Sequence, residues 1–122
     1  MKASKEDIQK LGRLKRRPEF LRVQQAGQKW VSKGLILQAA PNEGLGVRFG
    51  LTVTKRLSKL AVERNRIRRR LKAVACDILP AYAADNMDFV LIGRPDSATR
   101  VYEDIQKDLI WCLKKLGHQN PL

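Results

Sequence analysis

The sequence predicts a single α+β domain with helices packed against one sheet, and three observations carry that expectation. Apolar residues recur at helical intervals in three separate stretches. Runs of β-branched and apolar residues of strand length lie between them, and 122 residues suit one hydrophobic core but not two. With 43% apolar residues against 30% charged, a wholly disordered chain is excluded. The element order reads α-β-β-β-α-β-α, within a domain expected over residues 13–118 and flanked by short tails at 1–12 and 119–122.

Each element has its own signature. Residues 1–12 are polar, mixed in charge and without periodicity, as in a loose tail. In RPEFLRVQQAG, Pro18 suits the first helical position and Gly27 the site just past the end, and Phe20 and Val23 lie three apart on one face. From Trp30 to Thr54 the chain reads as strands, with QKWVSKGLILQAA and GVRFGLTVT joined by the turn-forming PNEG as a hairpin. In the second run Val47, Phe49, Leu51 and Val53 alternate with Arg48, Gly50, Thr52 and Thr54, so one face belongs to the core and the other is polar and open unless something covers it.

A long helix is expected from Leu60 to Leu79, with Leu60, Ile67, Leu71, Val74 and Ile78 on its apolar stripe and Pro80 ending it. DFVLIG, residues 88–93, reads as a short buried strand. RPDSAT then punctuates, Thr99 is the expected cap of a last helix, and Val101, Ile105, Leu109, Cys112 and Leu116 form that helix's stripe.

Charge is the strongest functional signal. The formal net charge is +13, and its distribution is uneven: residues 1–72 hold twenty cations and five anions, the remainder five and seven. Such a surface implies a polyanionic partner. In ERNRIRRRLK, Glu63 to Lys72, six of ten side chains are cations, and between Lys55 and Lys72 nine cations face a single anion, Glu63. Solvated helices ordinarily mix signs at i,i+4, whereas Arg66 with Arg70 and Arg68 with Lys72 are like pairs that repel. A phosphate backbone would relieve that repulsion, and solubility alone does not require single-sign charge.

At about 100° per residue, Asn65, Arg69 and Lys72 fall opposite the apolar stripe, Arg68 flanks them, Arg66 and Arg70 lie on the other shoulder, and Arg64 borders the stripe. Guanidinium groups can grip two phosphate oxygens or stack on a base. Asn65 can read a base or sugar edge, or complete a local hydrogen bond. Strands on both sides of the basic helix argue against a three-helix DNA-binding domain, and the absence of aromatics between Lys55 and Lys72 argues against a membrane-surface helix. RNA is the favoured partner.

Other chemistry is sparse. Cys76 and Cys112 are the only cysteines, without CxxC spacing, and read as buried free thiols. His118 is the only histidine and has no expected acidic partner; Asp104 and Asp108 share a helical face that reads as solvated surface; no Gly-rich phosphate loop occurs. MKASKEDIQK lacks a secretory h-region and no apolar run is long enough to span a membrane, so a cytoplasmic protein is expected.

Four stretches in order, RLKRRPEFLRVQQAG, GLTVTKR, AVERNRIRRRLKA and DFVLIGRP, resemble the bacterial ribonuclease P protein component over nearly the whole chain, ERNRIRRRL standing where that family carries its RNR motif. The resemblance implies a mixed sheet of the ribosomal protein S5 domain 2-like kind with a left-handed βαβ crossover. It also implies a subunit that binds a large catalytic RNA and helps it cut the 5′ leader from precursor tRNA. The RNA would supply the chemistry through its own magnesium, with no cofactor bound by the protein and no membrane or DNA partner.

By motif, Arg64, Asn65, Arg66, Arg68 and Arg69, with Lys72 beside them, would face the catalytic RNA, with Arg13, Lys15, Arg16 and Arg17 as further basic contacts. A cleft between the first helix and the polar sheet face would hold the single-stranded leader, using Phe20 as a stacking aromatic with Thr52, Lys55 and Arg56 nearby. Plain core packing is the alternative role for Phe20. Gln24 and Gln38 stand where aromatics occur in some relatives, which implies a more polar cleft. The rival reading is a non-enzymatic RNA-binding module, such as a ribosomal or ribosome-assembly protein.

Overall fold

The computed structural model describes residues 11–117, so His118 and the expected tails, apart from Leu11 and Gly12, lie outside the described residues. A five-stranded mixed sheet runs in the order β1 (Gly12–Arg13), β4 (Arg48–Thr52), β5 (Met87–Gly93), β3 (Leu35–Pro41) and β2 (Gln28–Val31). β1 and β5 are parallel to β4, whereas β3 is antiparallel to both β5 and β2. Helix α1 (Arg17–Ala26) lies on one face; α2 (Ala61–Tyr82) and α3 (Tyr102–Lys115) lie on the other.

α1 starts where Pro18 needs no backbone donor, and the Glu19 carboxylate accepts from the amides of Lys15 and Arg16, both at 2.8 Å. It ends at Gly27, which is extended rather than left-handed. Glycine is needed there for space, because a Cβ would stand 2.4 Å from the Val23 carbonyl oxygen and 2.5 Å from that of Ala39.

The expected hairpin through PNEG does not form. β3 pairs instead with β2 across a turn in which the Ser32 hydroxyl donates to the Leu35 carbonyl at 2.6 Å, and β5 inserts between β3 and β4. The apolar run of β5 explains its place, since a strand covered on both faces carries no polar alternation.

α2 is pinned by Ile67, Leu71, Val74, Ala75, Ile78 and Leu79, all buried against Leu37, Phe49, Phe89 and Leu91 of the sheet. Pro80 sits inside α2 rather than ending it. Proline forfeits its own donor and crowds the carbonyl one turn back, yet burial of Leu79 and Tyr82 carries the helix on until the Ala83 amide bonds to the Leu79 carbonyl at 2.9 Å. Thr99 likewise caps nothing: it closes a 3-10 turn (Pro95–Ala98), and α3 begins after an extended, exposed Val101. Ile105, Leu109 and Cys112 of the expected stripe are buried, joined by Leu113.

Candidate nucleic-acid interface

The basic segment projects past the sheet. Ile67 packs at Gly93, the last residue of β5, so residues 60–66 overhang, and Leu60 is exposed instead of opening the stripe. The loop from β4 into α2 is fixed by a turn in which the Leu57 amide reaches the Thr54 carbonyl at 3.1 Å.

The arginines divide into two kinds. Four lash α2 to its neighbours by donating to backbone carbonyls: Arg64 to Ser58 at 2.9 Å, Arg68 to Val53 at 3.2 Å, Arg66 to Ala98 at 3.1 Å, and Arg70 to Ser97 at 2.9 Å and also to Arg100. These bonds hold the loops on either side of the helix and fix the guanidinium planes. Arg69 and Lys72 are exposed and make no hydrogen bond or ion pair with any described residue. Asn65 is exposed and accepts from Arg68 at 3.3 Å, so the local bond is present. Arg13 stacks its guanidinium 4.6 Å from the Phe49 ring centroid, and the charges of Lys72 and Arg13 both act on the Cys76 thiol, which burial pushes up. The cationic surface therefore continues from α2 across the β1 edge.

On the opposite sheet face the cross-strand registers set out rows. Arg48, Asp88 and Ala40 form one; Gly50, Val90, Gln38 and Lys29 the next; Thr52, Ile92, Ile36 and Val31 the third. α1 covers the first row and half of the second, with Val23 buried among Leu14, Ala40 and Val90. Phe20 lies directly over Gly50, where an added Cβ would be 2.5 Å from the ring. It is half-buried, packed along one side and open along the other. The third row stays partly exposed, flooring a cleft beside Phe20, with Lys55 and Arg56 exposed in the turn beyond Thr52. Gln38 is half-exposed in this cleft, Gln24 is exposed on α1, and Lys15, Arg16 and Arg17 are exposed at the start of α1. Ile36 and Ile92 are floor residues that sequence reasoning missed, because an all-apolar strand does not show which side will be left uncovered.

Arg48 lies on the expected polar face, where α1 covers it. Its guanidinium grips the fully buried Asp88 through two bonds, at 2.8 and 2.7 Å, and donates to Glu19 at 3.0 Å. Asn42 donates to the same carboxylate at 2.7 Å, and Arg22 of α1 also pairs with it. Burial alone would raise the Asp88 pKa; the hydrogen bonds from Arg48 and Asn42 and the charges of Arg48 and Arg22 outweigh it and hold the group below its usual range. The network ties α1 to β4 and β5 and so sets the height of Phe20 above the sheet.

Among the described residues, no group of three His, Cys, Asp or Glu side chains is placed to hold a metal. Asp108, expected as solvated surface, is instead engaged by Arg100 at 2.7 and 3.2 Å and by the Gly34 amide at 3.0 Å. No described helix is long and apolar enough to cross a membrane.

Comparison with known proteins follows the same lines. A family model described as Ribonuclease P matches residues 8–117. The ribonuclease P protein component of Paramagnetospirillum magneticum is 42% identical over 113 residues, covering 88% of this chain and 84% of that protein. The corresponding protein of Gluconacetobacter diazotrophicus is 41% identical over 106 residues, covering 86% and 90%. The solved Staphylococcus aureus RNase P protein superposes with a TM-score of 0.70 at 25% identity, covering 85% of this chain and 94% of that one. The Thermotoga maritima protein gives 0.68 at 22% identity, covering 84% and 96%, a likeness of fold.

Proposed function

Because the chain belongs to the ribonuclease P protein family, as the protein component of a holoenzyme whose RNA subunit is catalytic, we propose that it binds that RNA through the cations of α2 and holds the 5′ leader of precursor tRNA in the cleft beside Phe20. The reading rests above all on Arg69 and Lys72: exposed cations among like charges, with no counter-charge from any described residue. A phosphate backbone supplies what the fold withholds.

The two surfaces do different work. Catalytic RNA and substrate are both polyanions, and the basic helix lowers the repulsion between them. Arg64, Arg66 and Arg68, already oriented by their carbonyl bonds, and Asn65 present donors at fixed positions, with Arg13, Lys15, Arg16 and Arg17 extending the field. In the cleft an unpaired base stacks on the open side of Phe20, Thr52 and Gln38 offer hydrogen bonds, and Lys55 and Arg56 meet phosphates. Contact with the leader favours precursor over mature tRNA, so binding energy is withdrawn once the leader is cut. The magnesium that cleavage requires belongs to the RNA subunit, and the protein binds no cofactor of its own.

The test is reconstitution with the catalytic RNA and a precursor tRNA bearing a 5′ leader. As magnesium is lowered, cleavage should come to depend strongly on the protein. Equal rates with and without it would overturn the proposal.

A further inference from the structure

We propose that the exposed patch around Trp30 and Trp111 is a second RNA-binding site, one that takes unpaired nucleotides by base stacking at the sheet edge remote from α2. Trp30 lies on the edge strand β2 and Trp111 on α3; their rings meet edge to face with centroids 6.0 Å apart. Trp30 is 37% exposed and Trp111 43%, apolar surface outside both the core and the leader cleft, and Val31, at the outer end of the row that floors that cleft, borders the same groove.

Cations outnumber carboxylates around it. Lys107, Lys114 and Lys115 stand at i−4, i+3 and i+4 from Trp111, and the Lys115 ammonium lies 5.6 Å from the Trp111 ring centroid. Lys33, from the β2–β3 turn, and Lys107 line a groove with Val31 and Trp111. Lys114 and Lys115 also suit the C-terminal end of α3 and Lys107 stands at i+4 from Glu103, but Lys33 has no such duty. Carboxylates offset part of this field: Asp108, in the same groove, is paired with Arg100, while Glu103 and Asp104 stand one turn before Lys107 and leave Lys33, Lys114 and Lys115 as the excess.

A π-surface set among ammonium groups matches a nucleobase with its phosphates. A second copy of this chain fits poorly, because each copy carries a formal +13. Lysines act as point charges without the bidentate geometry that reads particular groups, so the site is expected to be tolerant of sequence. α2 packs over β4 and β5 while α3 covers β3 and β2, so RNA here need not compete with RNA on α2.

Trp30 and Trp111 are the only tryptophans in the chain, so its intrinsic emission reports on this patch. Titrating the full chain with hexauridylate should quench that emission saturably, and an RNA duplex of equal charge should quench it less. Trp111→Ala, read through Trp30, and the double variant Lys33→Ala/Lys107→Ala should each raise the dissociation constant about tenfold. Trp111→Phe should restore binding, and Phe20→Ala and Arg69→Ala should leave the quenching curve in place. The site would be refuted by absence of quenching at saturation, by quenching that Phe20→Ala abolishes and the lysine variant spares, or by emission that changes when RNA-free protein is diluted, the mark of a contact between copies. A loss in Trp111→Ala that phenylalanine does not rescue would equally count against stacking.

Discussion

The Arg48 guanidinium and the Asp88 carboxylate face one another fork to fork, with Nε–H meeting one oxygen at 2.8 Å and Nη2–H the other at 2.7 Å, the acid being wholly buried. Removing the acid leaves Arg48, Arg22 and Asn42 facing an empty site. Asp88→Ala should therefore lose about 3–5 kcal/mol of stability, read as a lower urea midpoint at unchanged slope. The sign with pH follows from the depressed folded pKa: the contribution of Asp88 is complete above its unfolded value, about 3.9, and is lost as pH falls through the folded one. The stability gap between the natural chain and Asp88→Asn should thus narrow below about pH 4; a gap independent of pH would mean that Asp88 is not the titrating group.

Gly50 and Phe20 form a second coupled pair. A Cβ on Gly50 would meet the ring at 2.5 Å and Leu14 Cβ at 3.1 Å, so Gly50→Ala should cost about 1–3 kcal/mol through overpacking. In the background of Phe20→Ala only the milder contact with Leu14 remains, and adding Gly50→Ala should then cost less, a non-additivity that a double-mutant cycle of melting curves measures directly. Phe20→Ala alone should weaken precursor tRNA binding by about 1–3 kcal/mol and mature tRNA binding by less. Equal losses would place the ring in the core and outside the cleft's function.

The two kinds of arginine on α2 predict two kinds of defect. Arg69→Ala should leave the unfolding midpoint where it was, lower affinity for the catalytic RNA, and reduce the slope of log K against log salt by about 0.7–0.9. Arg70→Ala should act the other way round: its guanidinium holds the carbonyls of Ser97 and Arg100, so stability should fall by about 1–3 kcal/mol. An unchanged salt slope for Arg69→Ala would show that it touches no phosphate.

How much of this the sequence discloses depends on the range of the interaction. Periodicity is local, and the stripes of α2 from Ile67 to Ile78 and of α3 from Ile105 to Cys112 follow from it directly. Ladder partners are not local, so β3 and β4 read as a hairpin although β5 separates them. The cationic face was legible as charge, but the division between anchoring and free arginines was not, because it depends on where the carbonyls of Ser97 and Ala98 come to lie after the crossover. Asp88 is the extreme case. Nothing in MDFVLIG marks its acid as buried, since its partners stand 40 and 66 residues away.

Cys112 offers a test of the core that involves no RNA. It is a free cysteine with no exposed surface, and burial pushes its thiol up to about 11, so at pH 8 only about one molecule in a thousand would carry the reactive thiolate. Cys76 is half-buried and also raised, but Lys72 and Arg13 oppose the shift there. Native protein treated with iodoacetamide should therefore be alkylated first at Cys76, and at Cys112 only as fast as the core opens, whereas both should react alike in denaturant. Because Cys112 is packed with Leu109 and Leu113 of α3 against Leu37 of the sheet, its rate should rise in Asp88→Ala only to the extent that global stability has fallen. Rapid labelling of native Cys112 would mean that α3 leaves the sheet without global unfolding.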